Sequence, residues 1–241
     1  MNYEKLCKEK KVALQFSGGK DSLVMLHQLM PYWPLLTVYH CDTGDSFPET
    51  REMIEELSKI VPNFVVVKGK RKEIEEQFGF STDILPVSAT PMGQAATGLT
   101  LKLIDRYSCC YLSLNKPLHD KMHEDGIEVI LRGQRDSDAV KSPVKSGEYI
   151  DGFTIIYPLV DYSEKEVFDY LDKHNIPVPR FYLEGMTSGG DCMLCTAWLE
   201  HNQTKYVTKF HPKEAKIVLK RLSDIKEAVE KPYRFLTAIG A

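Results

Sequence analysis

Residues 17–22, Ser17-Gly18-Gly19-Lys20-Asp21-Ser22, set two glycines, two hydroxyls and a lysine between an apolar run at 11–16 and an amphipathic stretch at 20–30. Read in order, these are strand, tight turn and helix. Such a turn aims backbone amides and the positive end of a helix at an anion, and Lys20 adds a full charge. Ser17 and Ser22 can donate hydroxyls to the same anion. A Walker loop has four residues between its first glycine and Gly-Lys; this segment does not, so it is a phosphate-binding turn of another type.

Four of the six cysteines fall in two pairs, Cys109-Cys110 and Cys192-Met193-Leu194-Cys195. Six are too few for a disulfide scaffold at this length, and in a reducing compartment clustered cysteines point to metal or catalysis. Four thiolates satisfy a tetrahedral zinc or one [4Fe-4S] cluster, and spacing does not choose between them. Cys7 and Cys41 are then left over. Cys41 follows an apolar run beside Asp42, where a thiolate could serve as a nucleophile. The segment Arg132-Gly133-Gln134-Arg135-Asp136-Ser137-Asp138 follows another apolar run.

The elements that must position these groups alternate. Strands are expected at 11–16, 35–40, 64–67, 127–131 and 155–159, with helices at 20–30, 48–60 and 163–174 between them. Ser163 and Glu166 fit a capping box, and the prolines of 175–179 end the helix that follows. The stretch 99–124 reads as mostly helical, interrupted around Pro117. Strand-helix alternation predicts a mainly parallel sheet with helices on both faces. Beyond Phe181 come a glycine-rich loop, the Cys-X-X-Cys pair and a polar helical tail, so the chain divides into an α/β domain at 1–180 and an appendage at 181–241.

A chain of 241 residues with 43% hydrophobic and 27% charged residues can bury a core unaided. Its formal charge of -3 gives no global attraction to polyanions. The segment 205–234 is an exception, with nine lysines and arginines against four acids, and could hold a nucleic-acid backbone or be a solvated basic helix. Residues 1–11 lack a signal-peptide core, and no run approaches the roughly 18 apolar residues of a membrane span. A soluble, cytoplasmic protein without a membrane partner is expected.

The sequence resembles the PAPS/APS reductase family of the ATP-pyrophosphatase superfamily over residues 11–198. The resemblance is carried by the 17–22 loop, by Cys41-Asp42-Thr43-Gly44-Asp45-Ser46-Phe47-Pro48-Glu49-Thr50, by Gly133 to Arg135, and by 158–171, Ile176-Pro177, Tyr182 and Gly185. It implies a doubly wound, adenine nucleotide alpha hydrolase-like fold. An adenylyl nucleotide would bind at Ser17, Gly18, Gly19, Lys20, Asp21, Ser22, Gly133 and Arg135, with Asp42 and Thr43 near the nucleoside; Arg135, in the family's Gly-X-Arg segment, would grip phosphate or sulfate in bidentate fashion, and Lys20, Arg135 and Cys41 are the candidate catalytic residues. Likeness to the cluster-binding members favours [4Fe-4S] over Zn2+ at Cys109, Cys110, Cys192 and Cys195.

Two departures bear on the reaction. Basic residues that often follow the family's double cysteine are replaced near Ser113 and Leu114. No cysteine follows Cys195, where family reductases carry a nucleophile in Glu-Cys-Gly-Leu-His. The expected function is therefore a sulfonucleotide reductase working with a thiol reductant such as thioredoxin. The alternatives are an ATP- and Mg2+-dependent sulfurtransferase acting on nucleic acid, and a nucleotide-binding protein without reductase activity.

Overall fold

Val12, Ala13 and Leu14 are all buried, so the first strand has no solvent side and its sequence shows no polar alternation. The computed structural model, which describes residues 1–138, 142–189 and 191–240, sets this strand inside a six-stranded sheet. In chain order the strands are β1 (Val12–Gln15), β2 (Thr37–Asp42), β3 (Phe64–Lys68), β4 (Phe80–Thr82), β5 (Leu103–Asp105), β6 (Val129–Leu131), β7 (Tyr149–Ile150) and β8 (Phe153–Ile156). The sheet order is β3-β2-β1-β6-β8-β7, parallel except for the short edge strand β7, while β4 and β5 form a separate parallel pair.

The helices are α1 (Tyr3–Glu9), α2 (Lys20–Gln28), α3 (Pro48–Ile60), α4 (Arg71–Phe78), α5 (Pro91–Thr97), α6 (Arg106–Cys110), α7 (Lys116–Glu124), α8 (Glu164–Lys173), α9 (Arg180–Leu183), α10 (Gln203–Phe210) and α11 (Pro212–Ala238). Leu23, Met25 and Leu26 of α2 pack with Val167 and Leu171 of α8 on one sheet face. Leu118 and Met122 of α7 cover the other. Apolar burial on both faces is the main force holding this layering. The Ser163–Glu166 capping box forms as expected.

Residues 99–124 are mostly helical as expected, from Arg106 onward, but they begin with a strand, Leu103–Asp105, paired with Phe80–Thr82. The irregularity expected around Pro117 is a π turn at Tyr111–Asn115 that passes directly into α7, and the Ser113 carbonyl that Pro117 cannot serve accepts from the Lys70 amide at 2.9 Å. Strand β2 starts at Thr37 because Met30–Leu35, with two prolines, winds as a 3-10 turn.

The C-terminal segment packs on two places. Phe181, Met193, Tyr206, Val207 and Val218 gather around the fully buried Phe47 at the start of α3. Ile225 of α11 reaches Ala89 and Leu103 beside the β4–β5 pair. Among the described residues no helix is long and apolar enough to cross a membrane.

Candidate functional site

Strands β1 and β6 lie side by side at the point where the chain order of the sheet reverses, and open parallel sheets bind ligands outside the strand ends there. A cavity of about 690 Å³ occupies that position. Its walls include Ser17, Lys20 and Asp21 after β1, Cys41 near the end of β2, Arg132 and Arg135 after β6, and all four paired cysteines.

The 17–22 loop is held by its own atoms. Gly18 has φ +82°, a conformation that favours glycine, and lets the chain turn sharply before α2. The Gly19 amide donates to Ser17 Oγ at 3.3 Å, and the Ser22 hydroxyl donates to the Gly19 carbonyl at 2.8 Å. No side chain of the loop caps the start of α2, so its first amides have no acceptor among the loop's side chains. One is taken: the Lys20 amide donates to the Tyr182 hydroxyl at 3.2 Å, from α9. Lys20 itself is buried, with Nζ 3.1 Å from Asp21 and 3.5 Å from Glu164.

Arg135 is buried and doubly paired. Its Nε lies 2.7 Å from Asp21 and its Nη2 2.6 Å from Asp138. Burial raises the Asp21 carboxyl even though Lys20 and Arg135 oppose the shift. Gly133 permits the close approach, since a Cβ there would stand 3.0 Å from the Asp21 backbone. Asp42 and Thr43, expected near a nucleoside, each hold a backbone group: Asp42 accepts from the Gly44 amide at 2.8 Å and Thr43 donates to the Asp191 carbonyl at 2.7 Å. Neither is among the residues lining the cavity.

The opposite wall carries the thiols. Cys109 and Cys110 end α6, and Cys192 and Cys195 lie on the loop after α9. That loop is fastened to β2, with the Met193 amide donating to the Asp45 carbonyl at 2.7 Å and the Leu194 amide to the Asp45 carboxylate at 3.0 Å. Gln203 donates to the Cys192 carbonyl, and Arg221 of α11 to the Leu194 carbonyl. Burial is the first cause of a raised pKa at each of the four thiols, and Cys195 adds to it at the other three.

Arg71, at the start of α4, is buried against this wall between Asp45 at 3.4 Å and Glu75 at 2.8 Å, and its charge opposes the rise at Cys109, Cys192 and Cys195. It supplies buried cationic charge beside the thiols, where Ser113 and Leu114 stand after the double cysteine and Lys116 comes only later. The donor chemistry suits a thiolate-ligated iron-sulfur cluster, but among the described residues no three His, Cys, Asp or Glu are grouped closely enough to hold a metal ion.

Cys41 lines the cavity as expected, yet burial, with Asp191 and Asp42 nearby, pushes its thiol up to about 12. A group so shifted is not a thiolate at neutral pH. Cys7 packs among α1 and its neighbours and is not on the cavity wall. Sequence reading missed Arg71, His119, Arg106 and Asp191, which are brought in from scattered positions and have no motif of their own. In the basic tail, Lys209, Lys220, Arg221 and Arg234 each pair with a carboxylate, which lowers the local positive excess.

Residues 11–198 match the family described as phosphoadenosine phosphosulfate reductase domain. Over 196 residues the chain is 27% identical to a phosphoadenosine 5'-phosphosulfate reductase of Proteus mirabilis, covering 78% of this chain and 72% of that relative. Over 188 residues it is 28% identical to an adenosine 5'-phosphosulfate reductase of Geobacillus kaustophilus, covering 75% and 71%. The crystal structure of a phosphoadenylyl-sulfate reductase from Candida auris superimposes with a TM-score of 0.54 at 22% identity, over 75% of this chain and 81% of that one, and shares the fold.

Proposed function

The chain belongs to the phosphoadenosine phosphosulfate reductase domain family, and from that premise we propose that it is a sulfonucleotide reductase whose substrate spans the cavity from the phosphate loop to the cysteine wall. The observation that carries this reading is that the loop, the guanidinium groups after β6 and the four cysteines all open into one space.

In this reading the α-phosphate of the nucleotide lies on the amides of Asp21 and Ser22, which no side chain caps, with Lys20 balancing its charge. Arg135 positions Asp21 and the loop after β6, since both of its carboxylate partners are already in place. The sulfate then points toward the cysteine wall. Reduction transfers two electrons from a dithiol of the thioredoxin class: the S–O bond to the nucleotide breaks, sulfite leaves, the dithiol becomes a disulfide, and of its two protons one goes to the nucleotide phosphate and the other to solvent. Cys41, held as a thiol, belongs to the cavity wall in this scheme and is not the nucleophile.

Cys109, Cys110, Cys192 and Cys195 would hold a [4Fe-4S] cluster, with Arg71 facing its negative charge. When bound, it would supply an anionic, redox-capable centre beside the sulfate. The experiment is anaerobic turnover with APS, PAPS and ATP offered separately, with a dithiol, scoring sulfite and pyrophosphate. Sulfite from APS or PAPS, reduced about 100-fold in Lys20→Met, is expected. Pyrophosphate released from ATP and stimulated by RNA, with no sulfite from either sulfonucleotide, would overturn the reductase reading in favour of nucleic-acid thiolation.

A further inference from the structure

Lys20, Arg71, Arg106, Arg132 and Arg135 line the cavity, and four of these five cations face carboxylates. Lys20 has Asp21 and Glu164, Arg71 has Asp45 and Glu75, Arg106 has Asp83 and Glu200, and Arg135 has Asp21 and Asp138. Arg132 has no carboxylate within ion-pair distance among the described residues. Its Nη2 meets His119 Nε2 at 2.8 Å, and its Nε is buried with no hydrogen-bond partner among the described residues.

His119 does not offset that charge. Burial and Arg132 itself press its pKa down to about 4, so at neutral pH the ring accepts from the guanidinium as a neutral base. The register of β1 on β6 sets Leu14 beside Leu131, which brings Gln15 next to Arg132. Gln15 also has a buried carbonyl oxygen without a partner, while its amide nitrogen donates to Asn115 at 3.3 Å. A half-buried cation with no carboxylate beside it is costly in a folded protein, and an anionic ligand relieves that cost.

We infer that Arg132, backed by the His119 ring, forms a second anion subsite in the cavity, which takes a further tetrahedral oxyanion of the nucleotide, either its sulfate or a 3'-phosphate. The subsite is separate from the 17–22 loop and rests on the nucleotide-binding reading above. It also divides the labour between the two arginines after β6: Arg135 is neutralised by aspartates and braces the loop, and Arg132 is free to meet the ligand.

The test is calorimetric binding of AMP, APS and adenosine 3',5'-bisphosphate to the full chain and to Arg132→Gln. Wild type is expected to bind one of the two doubly substituted nucleotides about 10- to 100-fold more tightly than AMP, as suits a charge-assisted bidentate contact. In Arg132→Gln that gain disappears while AMP affinity stays within about threefold. A gain with APS identifies the sulfate as the occupant, and a gain with the bisphosphate identifies the 3'-phosphate. If Arg132→Gln melts below the assay temperature, Arg132→Lys, which keeps the charge without the fork, is expected to lose at least about threefold of the gain. An undiminished gain, or an equal loss for all three nucleotides, overturns the subsite alone. Failure of all three to bind wild type overturns the nucleotide reading itself and the subsite with it.

Discussion

Residues 17–22 build their turn from their own backbone and hydroxyls, whereas the cysteine wall is assembled from α6 and a loop tied down by Asp45, Gln203 and Arg221. The first structure is contiguous and locally determined. The second depends on side chains far from the cysteines themselves, and Arg71 adds a buried guanidinium that belongs to neither cysteine pair. The contrast means that damage to the loop should stay local, while the thiols can be disordered by changes at positions that bind nothing.

The largest expected break is Asp45→Ala. It removes the acceptor of the Leu194 amide and leaves Arg71 with Glu75 alone, a loss on the order of 3 kcal/mol for a buried pair. Urea unfolding should show that cost, and iron bound after anaerobic reconstitution should fall by more than half. AMP affinity should stay within about threefold; if it collapses together with the iron content, the two walls are one cooperative unit and the contrast is wrong.

Next in size is the pH response at His119, which packs against Phe153 and meets Arg132. His119 has a folded pKa of about 4 against an ordinary value of 6.5, so the unfolded chain takes up the proton first as pH falls. The stability is present above pH 6.5 and is lost as pH drops toward 4, by on the order of 2 kcal/mol after allowing for partial exposure. In His119→Gln the urea midpoint should lose this slope. An unchanged slope would mean that another group carries the acid sensitivity.

The smallest is Gly18→Ala. A methyl at φ +82° is strained, and its Cβ would stand 2.9 Å from Met53 Cε, the movable end of a flexible side chain. The strain therefore dominates, at about 1–2 kcal/mol. AMP affinity should drop about tenfold with iron content unchanged, the mirror image of Asp45→Ala.

Much of the architecture was legible because buried parallel strands announce themselves as apolar runs: 64–67 and 127–131 correspond closely to β3 and β6, and 48–60 is α3 throughout. β4 and β5 were not legible, since three-residue strands such as Phe80–Thr82 have no period to read. The loop was legible as one contiguous motif. Arg71 and His119 were not, because an arginine opening a polar helix looks solvated until tertiary packing buries it between Asp45 and Glu75. Arg135 and Arg132 show a finer limit. Sequence places both after one strand, and only the positions of Asp21 and Asp138 reveal which of them is already neutralised.

The fastening of the cysteine loop to β2 has a consequence for how the protein is made. Three of its hydrogen bonds, from Thr43, Ser46 and Leu194, join residues 145 to 149 positions apart. Closing so long a span carries an entropic cost that local turns do not, and such contacts form only after intervening elements hold the ends together. On a growing chain, residues 17–22 can adopt their turn early, while Cys109 and Cys110 wait for most of the polypeptide before their counterparts exist.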